Sequence, residues 1–199
     1  MEILTFTSKN MDENCYAVTV NDECFIVDPG EFSDELCSFV LKNCEKIKYI
    51  LLTHCHFDHV AGVNAIKGIC EKALTVGHSL ENEGFISSDI NLSAFFMEAP
   101  ISFGIDKTVE DLEKLFVGGE EILVIHTPGH TKGSVCYKLG DTLFSGDTLF
   151  KNSYGRTDLP SGSMAELKNS LSRLSKLPEN ITVYCGHGDT TTIKEEFFK

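Results

Sequence analysis

The most chemically informative segment is Thr53-His54-Cys55-His56-Phe57-Asp58-His59, which places three imidazoles and one carboxylate within six positions. Imidazole nitrogens and carboxylate oxygens are common protein ligands of zinc, iron and manganese. Polar groups crowded together in a folded chain need hydrogen-bond partners or a metal to offset the cost of leaving water. The segment therefore predicts a metal site, with His54, His56, Asp58 and His59 as candidate ligands.

Three more candidate ligands follow expected strands and lie beside glycines. They are His130 after Pro128-Gly129, Asp147 after Ser145-Gly146, and His187 between Gly186 and Gly188. Five imidazoles and two carboxylates are too many for one tetrahedral ion. Two divalent ions that share one carboxylate would use all seven groups and leave a bridging water, as in hydrolytic two-metal sites. We expect zinc, while iron and manganese also suit this donor set and calcium does not.

The composition limits the class of protein. With 199 residues, 42% of them hydrophobic, the chain can form one domain with a sizeable core. The net charge of -13, without a basic run, argues against a nucleic-acid partner. The sequence has no basic leader and no apolar stretch of membrane-spanning length, which predicts a cytoplasmic protein without a membrane partner.

The elements that must position these residues can be read from hydrophobic periodicity. We predict an antiparallel meander of strands at 2–7, 15–20 and 23–28, and then a helix capped by Ser33. A buried strand at 47–52 leads into the histidine-rich loop, followed by a short helix that Gly68 closes and a strand at 73–77. Residues 80–115 show no clear period.

The second half of the chain repeats the order of strands followed by helices. We predict strands at 121–125, 134–139 and 141–145, a helix with an apolar stripe, a strand at 181–185 and a closing helix at 191–198. The stripe is formed by Met164, Leu167, Leu171 and Leu174, which we assign to the core. This order predicts an α+β fold of two packed sheets with helices outside.

An ordered set of motifs resembles the metallo-β-lactamase-fold hydrolases, and most of all their glyoxalase II branch. The motifs are Asp28-Pro29-Gly30, THCHFDH, TPGHTKGS, SGDTLF, GRTDLPSGS and CGHGDTTT. The resemblance implies a four-layer αββα sandwich with two mixed sheets and the site at one edge. It further implies one metal on His54, His56 and His130, a second on Asp58, His59 and His187, Asp147 as the bridge, and Asp28 orienting a ligand.

The resemblance departs from full-length glyoxalase II at one place. Those enzymes carry an additional helical C-terminal domain that contacts glutathione, whereas this chain ends at Lys199. We therefore expect a single domain over 1–199 without that helical domain. This departure leaves the identity of the substrate open.

The function that these features predict is hydrolysis of a small acyl thioester, such as an acylglutathione, by a metal-bridging hydroxide. A thiolate leaves without a strong general acid because its pKa is about 8.5. Asp58 is the candidate catalytic residue, and Arg156, Tyr154 and Lys132 are candidate substrate contacts. By resemblance, Arg156 matches a basic residue that meets the thiol moiety in glyoxalase II.

Three alternatives stay open at this point. A persulfide dioxygenase would hold one ferrous ion on His54, His130 and Asp147. Another esterase or lactonase of the same fold would use the two-metal centre on a different bond. A metal-binding module without catalysis is the third. The sequence favours a structural role for His78 and His126, and it leaves the oligomeric state undetermined.

Overall fold

The computed structural model describes residues 1–198, within which strands and helices alternate along the chain. The strands are β1 (Glu2–Thr7), β2 (Asn14–Val20), β3 (Glu23–Val27), β4 (Ile47–Leu51), β5 (Leu74–His78), β6 (Lys107–Val109), β7 (Lys114–Val117), β8 (Glu120–His126), β9 (Val135–Leu139), β10 (Thr142–Gly146), β11 (Thr182–Cys185) and β12 (Thr191–Thr192). The helices are α1 (Asp34–Asn43), α2 (Phe57–Val60), α3 (Val63–Ile69), α4 (Asn82–Ile86), α5 (Ser93–Phe96), α6 (Met164–Leu174) and α7 (Ile193–Phe197).

The strands form two mixed sheets of six strands each. The first has the order β1-β2-β3-β4-β5-β6, with antiparallel pairs up to β3 and parallel pairs from β3 to β6. The second has the order β12-β11-β10-β9-β8-β7, in which only β10 and β11 pair in parallel. The parallel pairs align the carboxyl ends of their strands, and six candidate ligands follow β4, β10 and β11; the seventh, His130, follows β8, which has only antiparallel neighbours.

Three apolar clusters define four layers. Between the sheets, side chains such as Phe25 and Leu51 face Ile122 and Tyr137. A second cluster lies between the first sheet and helices α1 and α3, and a third lies between the second sheet and helices α6 and α7. Helix, sheet, sheet and helix therefore follow one another, and the predicted four-layer αββα sandwich is confirmed.

The two long helices begin where serine side chains satisfy free backbone amides. The hydroxyl of Ser33 accepts from the amide of Leu36, and that of Ser163 accepts from the amide of Glu166. Such N-caps contribute about 1 kcal/mol each. The predicted start of the first helix at Ser33 is thus confirmed by its capping bond.

Several details differ from the sequence prediction. The closing helix begins at Ile193, because Thr191 and Thr192 pair with β11 as strand β12. Gly68 lies inside α3 instead of closing it, and the segment after the histidines forms two short helices. The side chain of Met164, predicted to be core, is 39% exposed, whereas Leu167 and Leu174 of the same stripe are buried. Met164 is the first residue of α6, and burial on this helix begins one turn later, at Leu167.

No helix within residues 1–198 has both the length and the apolar character needed to cross a membrane.

We expect Gly30→Ala to lower the free energy of unfolding by about 3 kcal/mol, the upper range for overpacking. Gly30 is buried, and a β-carbon there would overlap the backbone carbonyl of Asp58, which cannot move without shifting α2. Gly68→Ala is the matched control, because Gly68 is exposed in α3 with open space around it. The control should raise stability by up to about 1 kcal/mol. Urea unfolding of both variants measures the difference, and an equal change in the two would contradict the steric argument.

Candidate metal centre

Four loops bring the seven candidate ligands together at one edge of the sandwich. His54 and His56 follow β4, and Asp58 and His59 lie in α2. His130 lies in the loop between β8 and β9, Asp147 directly follows β10, and His187 lies two residues after β11. We call the seven residues the candidate metal centre; they are His54, His56, Asp58, His59, His130, Asp147 and His187.

Potential donor atoms form compact groups within this centre. His54, His56 and His130, the first group, have ligand atoms within 4.8 Å of one another. Asp58, His59 and His187, the second group, meet the same limit. These groups are the same two sets that the family resemblance implied.

Asp147 lies between the two groups. Its Oδ2 is 3.5 Å from His130 Nε2 in the first group, and its Oδ1 is 3.2 Å from His59 Nε2 in the second. Oδ1 is also 3.7 Å from His187 Nε2. A carboxylate with one oxygen toward each group is suited to bridge two cations.

Hydrogen bonds at the δ nitrogens fix the direction in which three histidines present a lone pair. His130 Nδ1 donates to the carbonyl of Arg156 at 2.8 Å, and His187 Nδ1 donates to the carbonyl of Met11 at 3.1 Å. His59 Nδ1 donates to the carboxylate of Asp28 at 3.0 Å. Carbonyl and carboxylate oxygens only accept, so in the neutral form of each ring Nε2 is the nitrogen that carries a lone pair for a metal.

His54 is oriented through Thr53. The Thr53 hydroxyl donates to Asp28 Oδ2 at 2.6 Å, so its oxygen accepts from His54 Nδ1 at 3.0 Å. This bond leaves the lone pair of His54 on Nε2. His56 is turned the other way, because its Nδ1 is the nitrogen that lies 2.8 Å from His130 Nε2.

The electrostatics of the centre favour metal-binding forms in the first group. Burial lowers the pKa of His54 well below its usual range, with a further contribution from the neighbouring histidines. Burial and the adjacent His130 lower the pKa of His56 to about 3. Both side chains are therefore neutral at physiological pH, the form that binds metal.

In the second group, attraction between opposite charges determines the direction of the pKa shifts. Burial alone would lower the pKa of His59, but the carboxylates of Asp147 and Asp58 outweigh it and raise that pKa well above the usual range. Burial likewise opposes ionisation of Asp147, but the positive charge of His59, whose Nε2 lies 3.2 Å from Oδ1, outweighs it and lowers the pKa of Asp147 strongly. The carboxylates are therefore ionised and attract positive charge to this group.

Unpartnered atoms provide a separate test of whether metal ions fit. His54 Nε2, His56 Nε2 and Asp147 Oδ1 are buried polar atoms that make no hydrogen bond within the described chain. A buried polar atom without a partner is costly. Since His54 Nε2 and Asp147 Oδ1 point into the centre, cations bound there would satisfy both, and the residues fit the implied ions.

The three candidate substrate contacts are not members of the two ligand groups. The Arg156 guanidinium forms a two-bond pair with Asp158, at 2.7 and 2.8 Å, while its backbone carbonyl holds His130. Lys132 is exposed and lies 3.4 Å from Glu83. Tyr154 lines a small cavity with Leu171 and Phe197. None of the three is among the residues that line the cavity beside Asp58.

The structure adds two buried acids that sequence reasoning did not identify. Glu81 accepts from the amides of Cys55 and Gly133 at 2.9 and 2.8 Å, and thereby joins the loops that carry the first group. Glu13 is fully buried, and neither of its carboxylate oxygens makes a hydrogen bond. No local pattern distinguishes these acids from the many surface acids of the sequence.

The fold and this cluster define the class of protein: an αββα sandwich with a His- and Asp-lined metal centre at the ends of its strands. A protein-family model, described as the metallo-beta-lactamase superfamily, matches residues 10–187 of the sequence. The chain belongs to that superfamily.

Three known proteins illustrate the similarity. The probable metallo-hydrolase YqgX of Bacillus subtilis is 31% identical over 92% of this chain and 88% of its own. The crystal structure of BLEG-1 B3 metallo-beta-lactamase has a TM-score of 0.89 and 33% identity, covering 98% of this chain and 95% of that one. The di-iron-bound form of TTHA1623 has a TM-score of 0.85 and 32% identity, covering 96% of each.

We expect Thr53→Val to weaken metal binding by the first group about 10- to 100-fold, because it removes the hydroxyl that orients His54. Thr75→Val is the matched control: Thr75 is also buried, and its hydroxyl bonds Asp106 instead. Competition with a chromogenic chelator measures the affinity. Equal affinities in the two variants would show that the Thr53 hydroxyl does not support the site.

A second prediction concerns Glu13 in the metal-free protein. Burial raises its pKa well above the usual range, and although His59 opposes this, nearby carboxylates add to it. A raised folded-state pKa means that stability is lost as the pH rises above the unfolded value of about 4.3. Glu13→Gln should therefore be more stable than wild type at pH 8 by about 1 kcal/mol or more, with a smaller difference at pH 5.

Urea unfolding at both pH values, after exhaustive chelation, measures this difference. Glu2→Gln is the control, because Glu2 is exposed on β1. A pH dependence that is the same in wild type and Glu13→Gln would mean that Glu13 is not the buried group responsible.

Proposed function

We propose that this protein is a metal-dependent hydrolase of small acyl thioesters, related to the glyoxalase II branch of the superfamily. The observation that carries the proposal is the convergence of two ligand groups on one bridging carboxylate, Asp147, beside an open cavity at Asp58. The names of relatives such as the probable metallo-hydrolase YqgX support the hydrolase class.

The chain's residues would hold two divalent ions, with zinc as the expected metal. When bound, such ions supply hydroxide near neutral pH and polarise the carbonyl under attack. The di-iron form of TTHA1623 shows that a protein with this fold can hold iron, so iron or manganese are the alternatives to zinc. In this proposal the first group holds one ion, the second group holds the other, and Asp28 orients His59.

Asp58 has a distinct role because it both belongs to the second group and lines the cavity. Burial opposes its ionisation, but the charge of His59 and a bond from His187 lower its pKa. The side chain is 13% exposed on the cavity side. An ionised carboxylate in this position accepts a hydrogen bond from the attacking water and orients it, which is the catalytic role we assign to Asp58.

A thioester suits this arrangement better than an amide does. An amine leaving group must gain a proton, whereas a thiolate leaves without one. The carboxylates of Asp58 and Asp147 both have lowered pKa values, so neither holds a proton to donate at neutral pH. We assign the thiol moiety to the side of Arg156, whose carbonyl adjoins the first group, with Tyr154 and Lys132 as further candidate contacts.

The similarity to BLEG-1 B3 metallo-beta-lactamase gives a second candidate, hydrolysis of a β-lactam. The ring strain of a β-lactam favours its opening, but the nitrogen still requires a proton. We therefore expect much slower turnover of a chromogenic cephalosporin than of an acetyl thioester.

The deciding experiment is metal analysis together with thioester turnover on protein purified without added metal or chelator. We expect about two divalent ions per chain, loss of turnover after chelation, and recovery when zinc, manganese or ferrous ion is returned. His130→Ala and His187→Ala should each lower the content to about one ion and reduce kcat at least 100-fold. Lys114→Ala, on the exposed edge strand β7, is the control.

Two results would overturn the proposal. Full thioester turnover by metal-depleted protein would show that the centre is not the catalyst. A single iron per chain, with oxygen consumed in the presence of a persulfide and no thioester cleavage, would instead indicate a persulfide dioxygenase.

A further inference from the structure

We propose that the cavity beside Asp58 binds the acyl group of the substrate and selects acyl groups that are apolar and uncharged. This inference rests on the proposed function and narrows its substrate class. We call this space the Asp58 cavity. Its volume is about 470 Å³, within the range of small-molecule sites.

Carbon atoms make up most of the wall of the Asp58 cavity. The apolar side chains come from the loop after β1, from the loop after β3, and from α2 and α5 with the residues that follow them. They are Met11, Phe32, Phe57, Ala61, Phe96 and Met97. Transfer of each methylene group from water to such a surface contributes up to about 0.8 kcal/mol.

An aromatic pair forms one side of the cavity. The rings of Phe57 and Phe96 are stacked, with centroids 5.1 Å apart and planes 10° from parallel. Phe96 is nevertheless 68% exposed. A bound apolar group would cover part of this exposed ring and supply the burial that the protein alone does not.

The charges around the cavity exclude an anionic group. Glu31 and Asp58 are the charged residues in its wall, and no lysine or arginine side chain of the described residues lines it. A carboxylate on the acyl group would lose water and face Glu31, with no lysine or arginine among the described residues of the wall to pair with. The cavity therefore discriminates against acyl groups such as succinyl.

The orientation of the substrate follows from which ligand group each region adjoins. Arg156, on the proposed thiol side, holds His130 of the first group through its carbonyl. The Asp58 cavity adjoins the second group, because Asp58 belongs to that group and the carbonyl of Met11 holds His187. A thioester carbonyl between the two groups places the thiol toward Arg156 and the acyl chain in the cavity.

The test compares acyl groups on one small neutral thiol, N-acetylcysteamine, using metal-loaded protein. We expect kcat/KM, corrected for the rate of alkaline hydrolysis, to rise at least tenfold from acetyl to hexanoyl. Succinyl should react at least tenfold more slowly than the uncharged valeryl group, which has a similar length. A flat series, or a preference for succinyl, would overturn the proposal.

Two neighbouring phenylalanines provide matched variants. Phe96→Ala should lower the ratio of hexanoyl to acetyl kcat/KM about tenfold, because it removes half of the stacked pair. Phe95→Ala should leave that ratio unchanged, since Phe95 is equally exposed, at 70%, and does not line the cavity. An equal loss in the two variants would point to a general effect of truncating this segment and would contradict the assignment.

A binding measurement separates this inference from the proposed function. In a non-hydrolysable analogue, a methylene group replaces the thioester sulfur. Calorimetry should show at least tenfold tighter binding of the hexanoyl than of the acetyl analogue, and Phe96→Ala should remove that difference. Equal binding of the two analogues would overturn the acyl cavity even if thioesters are cleaved. Tighter hexanoyl binding without turnover of any thioester would instead retain the cavity and reject the hydrolysis.

A final arm varies the thiol while the acyl group stays acetyl. If kcat/KM increases with the apolar length of the thiol and not with that of the acyl group, the cavity holds the thiol side and the acyl assignment is wrong.

Discussion

The structure of the site depends on the buried carboxylate of Asp28. Oδ1 accepts from the backbone amide of Thr53, and Oδ2 accepts from the Thr53 hydroxyl and from His59 Nδ1. These three bonds join the end of β3 to the end of β4 and to α2. Asp28 itself has φ of +47°, a left-handed conformation that aspartate tolerates better than most residues do. This backbone conformation is unfavourable for most residues. It places the Asp28 side chain where it fixes both His59 and, through Thr53, His54.

The fold can concentrate polar groups at this edge because apolar packing is completed elsewhere. Three separate apolar clusters fill the spaces between the layers. The loops at the strand ends therefore do not have to contribute apolar side chains to the core. Burial of polar groups at this edge costs stability. The carboxylate of Glu13 is fully buried without a hydrogen bond, and His54 Nε2 and Asp147 Oδ1 also make none. A region with this many unsatisfied groups is organised for a ligand, not for maximal stability.

The local pattern of the sequence was sufficient for most of the fold. The meander, the helix capped by Ser33 and the two strands predicted at 134–139 and 141–145 follow from short-range periodicity and turn chemistry, and the structure contains them. Residues 80–115 were different, because side-chain hydrogen bonds between irregularly spaced residues, and not a repeating apolar pattern, connect their short elements. Asn91, for example, donates to the carbonyls of Gly84 and Ile101. The motifs at the strand ends also predicted the seven candidate ligands that the structure brings together, while their division into two groups was implied by the family resemblance. The roles of Glu13 and Glu81 depend on burial that no short segment reveals.

The candidate metal centre and the Asp58 cavity are built from different kinds of structural elements. The candidate metal centre is built at the ends of sheet strands, where hydrogen bonds and packing fix each side chain. The wall of the Asp58 cavity comes largely from short elements, including Phe96 in the four-residue helix α5 and Met11 in the loop after β1. Changes to the side chains of those elements would alter the size and charge of the cavity without moving a metal-binding side chain. In the function that we propose, the centre carries out the reaction, while the short elements of the cavity wall select the molecules that it acts on.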